Sequence, residues 1–167
     1  QLQTVSLVSL DIQNVMALTA SSLGLFVAGN DPLLRRYSLD DFTLAATREK
    51  DEQDDFYFEI ALTSDNTMVF ALAFDHPGDG HIVCLNSTTL AVRFRFGRGG
   101  DNLAICGDEL FVTARGKLEV FSFSGEHRRE ITGGFWSPSG VMHFDGRLFL
   151  WESGDEDEAP EEDYAKL

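Results

Sequence analysis

Hydrophobic positions in this chain come in short runs. Apolar, β-branched and aromatic stretches of about five to eight residues alternate with turns of Gly, Asp, Asn, Ser and Pro. No stretch of ten residues carries the 3.6-residue period of an amphipathic helix. The pattern predicts an all-β chain of consecutive hairpins.

Four of the runs repeat. GLFVAG (Gly24 to Gly29), MVFALA (Met68 to Ala73), ELFVTA (Glu109 to Ala114) and RLFLWE (Arg147 to Glu152) put Phe26, Phe70, Phe111 and Phe149 at spacings of 44, 41 and 38 residues. Before each lies an apolar strand closed by a polar turn, as in VMALTASS and NLAICGD. After it come an alternating strand (LLRRYSLDD, HIVCLNSTT, KLEVFSFSG) and a fourth (LAATREK, LAVRFRFG, HRREITGG). Four antiparallel strands recurring at about 40 residues describe one blade of a β-propeller. The anchor run is continuously apolar because the second strand of a blade is covered on both faces, so all four phenylalanines are expected to be buried. A two-sheet sandwich also has many short strands, but it gives no reason for a phenylalanine at this period.

The layout predicts a single propeller domain or segment over residues 1–167, with blade units at about 13–50, 55–97, 101–134 and 139–167 and residues 1–12 as the outer strand of a preceding or closing blade. Tyr164 to Leu167 then falls where a third strand should begin. The expectation is a segment of a larger propeller, with self-association through open blade edges as a corollary.

Composition narrows the class. An apolar fraction of 43% suffices for a core. No run approaches the roughly 18 apolar residues of a spanning helix, so no membrane partner is expected. Cys84 and Cys106 each sit inside an apolar strand and read as free thiols, which favours a reducing, cytoplasmic setting. The glycosylation triplet Asn86-Ser87-Thr88 points the other way. The net charge is −15, and eight of the acids fall between Glu152 and Asp163. Such a surface repels phosphate backbones and disfavours nucleic acid; a basic protein or peptide fits better.

In an up-and-down blade, the loop between the second and third strands and the connection to the next blade leave on the same face. Three acidic segments are assigned there: Asp51, Glu52, Asp54 and Asp55; Asp75, His76, Asp79 and His81; and Asp155, Glu156, Asp157 and Glu158. Together they form the candidate partner-binding face. The second set also has the residue types of a zinc or manganese site, although Pro-Gly-Asp-Gly at its centre is ordinary turn chemistry. No nucleophile elbow, phosphate loop or paired-cysteine motif is present, and no cofactor or catalytic residue is assigned. The rival reading is a calcium-dependent hydrolase or lyase, with Asn14, Asn30, Asp54, Asp55 and Asp101 turned into a central channel.

The stretch from Gly107 to Glu152 resembles the NHL-repeat family of β-propellers. The matching residues are Leu110-Phe111-Val112, Lys117-Leu118-Glu119-Val120-Phe121, Gly125, Pro138-Ser139-Gly140-Val141 and Asp145-Gly146-Arg147-Leu148-Phe149. The acid that closes the anchor strand in that family is replaced by Gly29, Ala73 and Ala114 and kept only as Glu152. The resemblance implies a propeller of non-enzymatic recognition, a class that includes substrate-binding parts of ubiquitin ligases. Some of its members bind RNA on a basic face, a role that the acidity here opposes. The Trp-Asp dipeptide of WD repeats is absent.

Overall fold

The computed structural model describes residues 12, 14–29, 31, 33–49, 56–74, 80–114, 116–135 and 138–152. Among them every regular element is a strand: β1 (Val15–Ser21), β2 (Gly24–Gly29), β3 (Leu33–Tyr37), β4 (Leu44–Glu49), β5 (Phe56–Leu62), β6 (Met68–Phe74), β7 (His81–Asn86), β8 (Val92–Phe96), β9 (Leu103–Cys106), β10 (Glu109–Ala114), β11 (Lys117–Ser122), β12 (His127–Thr132), β13 (Pro138–Phe144) and β14 (Arg147–Glu152). They form three antiparallel four-stranded sheets in chain order, β1–β4, β5–β8 and β9–β12, and the pair β13–β14. The chain divides into two compact units, Gln1–Gly99 and Gly100–Leu167. The strand expected within residues 1–12 and the acidic stretch after Glu152 lie outside the described residues, apart from residue 12.

The repeat is visible in the register as well as in the sequence. Each anchor phenylalanine is the third residue of its sheet's second strand. In three sheets the first strand carries a bulge just before the residue opposite the anchor strand's fifth position, so that Met16, Phe58 and Ser139 are the extra residues. A second bulge recurs in the outer strands at Ala45, Arg93 and Arg128, next to the residue pair in line with the anchor. An extra residue bends and twists a strand, and the same device at the same place gives each sheet the same local shape.

In the first unit the core lies between two sheets. Ala17, Phe26, Ala28 and Leu34 of the first sheet pack with Tyr57, Ile60, Val69, Ala71, Val83 and Leu85 of the second. The guanidinium of Arg48 donates to the Tyr57 hydroxyl across the same gap, at 3.2 Å. In the second unit Ala104, Phe111, Leu118 and Val120 pack with Val141, and Phe135 and Leu148 cover them.

Burial departs from expectation at one anchor. Phe26 and Phe70 are fully buried and Phe111 is 4% exposed, but Phe149 is 44% exposed. No third strand pairs with β14 among the described residues, and the Phe149 ring stays partly in solvent.

Close packing sets the turns. Gly24 has φ +145°, and a Cβ on it would stand 2.3 Å from the Tyr37 carbonyl oxygen, so no other residue fits between β2 and β3 there. Asp145 and Gly146, both at positive φ, form the two-residue turn that closes β13 onto β14. The β3–β4 and β7–β8 turns share one design. The amides of Ser38 and Asn86 each donate across six residues, to the carbonyls of Thr43 and Ala91, at 2.9 Å. The penultimate residues, Phe42 and Leu90, are left-handed at φ 57° and 59°.

Candidate functional site

Of the twelve residues assigned to the partner face, only His81 is among those described. Asp51, Glu52, Asp54, Asp55, Asp75, His76, Asp79, Asp155, Glu156, Asp157 and Glu158 lie outside them. What the structure does fix is where these segments are attached. Phe56 and Phe74 are directly paired, so the run ending at Asp55 and the run starting at Asp75 spring from adjacent backbone positions at one end of the second sheet. Glu49, where the first run begins, closes the matching end of the first sheet opposite Leu33. The second run returns to the sheet through Gly80 and His81. Gly80 has φ +71°, and a Cβ there would be 2.5 Å from the Ala73 carbonyl oxygen. His81 is half-buried opposite Ala73.

The opposite end of the same two sheets carries Asp40, Asp41 and Asp65 in its turns. An open depression of about 320 Å³ lies among the turns there, lined by Ser22, Asn66, Thr67, Ser87 and Arg93 among others. The side-chain Nδ2 of Asn66 donates to the Ser22 hydroxyl at 3.3 Å, and the Ser87 hydroxyl donates to the Asn66 backbone carbonyl at 2.5 Å. Asp65 accepts the hydroxyls of Thr63 and Thr67 and the Thr67 amide, and these bonds hold its carboxyl below the usual range. Its hydrogen-bonding capacity is spent on shaping the turn.

Charged side chains outside the predicted face cluster on the third sheet. Glu109 accepts both guanidinium nitrogens of Arg129, at 2.5 and 2.7 Å, and one from Arg128 at 3.2 Å. Arg129 first and Arg128 second hold this carboxyl down to about 2. Nearby, Glu119, His127 and Glu130 bring three ligand atoms within 4.8 Å of one another, the one such group among the described residues. Lys117 already places its ammonium 2.6 Å from an oxygen of each carboxylate. The group is an ion-pair cluster of two carboxylates and one ammonium, and a metal ion would have to displace that ammonium.

Glu59 escaped the sequence reading. It follows the β5 bulge and is half-buried, and burial pushes its carboxyl above the usual range against a hydrogen bond from the Ile60 amide at 3.1 Å. One acid inside the otherwise apolar strand FYFEIAL is the signal that marked it. Of the residues suggested for a calcium channel, Asn14 and Asp101 are exposed, and Asn30, Asp54 and Asp55 lie outside the described residues. Cys84 and Cys106 are free thiols.

No protein-family model matches the chain, and no curated protein matches it in sequence. Solved structures do match its fold. The WD40 repeats of RRP9 superpose with a TM-score of 0.67 at 13% identity over 78% of this chain and 42% of theirs. The hydrazine synthase of Kuenenia stuttgartiensis gives 0.65 at 14% identity, over 84% of this chain and 42% of that one. The computationally designed Ika4 protein gives 0.66 at 15% identity, over 91% of this chain and all of Ika4. The chain thus spans less than half the length of the first two. Its fold is that of a β-propeller built from four-stranded antiparallel blades.

Proposed function

We propose that this chain is a non-enzymatic binding platform whose acidic connections recruit a basic protein or peptide. One observation carries the reading: the direct pairing of Phe56 with Phe74 roots two acidic runs side by side at one end of the second sheet. Against a net charge of −15, such a concentration of carboxylates draws a basic partner by electrostatic steering. The finer reading, a substrate-recognition part of an NHL-type ubiquitin ligase, draws support from residues 107–152 alone. Two free thiols suit the cytoplasm, the compartment we assign to it.

The test uses an oligolysine peptide as probe and follows its association rate against salt. Wild-type association is expected to slow steeply as salt screens the field. Changing Asp51, Glu52, Asp54 and Asp55 to Lys should abolish fast association, whereas Asp40→Lys, at the other end of the same sheets, should change it little. Equal losses from the two sets overturn the proposal. A melting temperature that falls on chelation and recovers with calcium would instead favour the hydrolase or lyase reading.

A further inference from the structure

The turns that join β1 to β2, β5 to β6 and β7 to β8 surround the depression of about 320 Å³, at the end of the first two sheets away from the acidic connections. Its size is at the lower end of the range of about 300 to 1,000 Å³ that holds small molecules. Leu23 is the one apolar side chain among the described residues that line it, so the depression suits a polar ligand.

The lining has donors left over. Asn86 turns its side-chain oxygen back into its own turn, where it accepts the Thr88 and Thr89 amides at 2.9 Å and the Thr89 hydroxyl at 3.1 Å. Its Nδ2 is thereby left without a partner among the described residues, and so is the Thr88 hydroxyl. The Ser22 hydroxyl accepts from Asn66 and keeps its own hydrogen to donate. Asp65, the one acid of the lining, is occupied by Thr63 and Thr67.

Arg93 sets the sign of the ligand. It is the extra residue of the β8 bulge, a device that re-aims a side chain. Arg35 is ion-paired with Asp31, and Arg128 and Arg129 with Glu109. Arg93 is exposed and has no ion-pair or hydrogen-bond partner among the described residues. In a chain of net charge −15, an unpaired guanidinium beside unused donors is an arrangement for an anion. Arg36 adds positive charge close by: it donates to the carbonyl of Leu23 at 3.3 Å, and its buried Nε has no partner.

We propose that this depression binds a small phosphate monoester, whose oxygens accept from Arg93, the Asn86 side-chain amide and the Thr88 hydroxyl. A carboxylate presents two oxygens, whereas a phosphate monoester presents three and up to twice the charge, which matches a guanidinium joined by an amide and a hydroxyl. The Ser22 hydroxyl, on the neighbouring sheet, is available to hydroxyl groups of the organic part. The site is separate from the acidic connections and stands whether or not they recruit a basic partner.

Isothermal titration calorimetry of the 167-residue chain with glycerol 3-phosphate tests it. Saturable binding is expected, with none for glycerol. Arg93→Gln should weaken it about tenfold or more, the loss of a charge-assisted hydrogen bond. Thr88→Val should weaken it several-fold. Both variants should keep the wild-type far-ultraviolet circular dichroism, since both side chains are exposed. Arg147→Gln, which removes an exposed arginine outside the depression, should bind as the wild type does. Four outcomes overturn the proposal: a wild-type chain that takes up no glycerol 3-phosphate, glycerol bound as tightly as its phosphate, an Arg93→Gln chain that binds like the wild type, or equal losses in Arg93→Gln and Arg147→Gln.

Discussion

The side-chain oxygen of Asn102 accepts the backbone N–H of Val141 at 3.0 Å, tying β13 to the segment that leads into β9. Asn102 is itself fixed, since its amide donates to the Thr113 hydroxyl at 2.9 Å and its carbonyl accepts the Thr113 amide at 3.0 Å. Val141 is nearly fully buried, so its N–H has no water to turn to. Asn102→Ala should cost about 1 to 3 kcal/mol in urea unfolding. Asn102→Asp, which keeps an acceptor, should cost less; equal costs would detach the effect from this bond.

Equivalent anchors should differ in worth. Phe26→Ala and Phe70→Ala remove fully buried rings and should each cost about 3 to 5 kcal/mol. Phe149→Ala, at the same register position but 44% exposed, should cost well under half of that in dilute monomer. Chemical denaturation of the three variants checks it, and a Phe149 cost equal to the others would mean that its exposed face is covered in solution.

That contrast shows how far the sequence could be read. Strand positions, strand order and the repeat follow from hydrophobic spacing, because pairing within a meander is local. Whether Phe149 is buried depends on what lies across its face, and no pattern within RLFLWE carries that. The acidic runs were legible as charge only, since charged turns have no period that fixes their course. Glu59 was missed because a bulge, invisible to strict alternation, decides where its carboxyl goes.

Two glutamates should give opposite pH responses. Arg129 and Arg128 hold Glu109 down to about 2, so that cluster's stabilisation is complete above the ordinary glutamate value and drains away as pH falls towards 2. Being near solvent, it should amount to about 1 kcal/mol or less. Burial raises Glu59, so stability should instead fall as pH climbs from the ordinary value through the raised one. Unfolding free energies across this range should lose the acid-side slope in Glu109→Gln and the opposing slope in Glu59→Gln. Unchanged slopes in both variants would discard the assignment.

The two thiols should react in a fixed order. Burial pushes Cys84 up to about 11, and its side chain is fully enclosed in β7, whereas Cys106 is half-exposed at the end of β9. At mildly alkaline pH, alkylation followed by mass spectrometry should label Cys106 first and Cys84 only on unfolding. Simultaneous labelling would contradict the enclosed position of Cys84.

The bulges at Ala45, Arg93 and Arg128 carry a consequence for the fate of the protein at high concentration. β4, β8 and β12 are the outermost strands of their sheets, with backbone groups facing outward. A cross-β fibril grows by adding an incoming strand to such a rim, residue against residue over six or seven positions. Each of these strands is five or six residues long and kinked by an extra residue, two of the three times an arginine. An incoming strand would lose register at each kink and, at Arg93 and Arg128, meet a positive charge as well, so these rims are poor templates for amyloid growth.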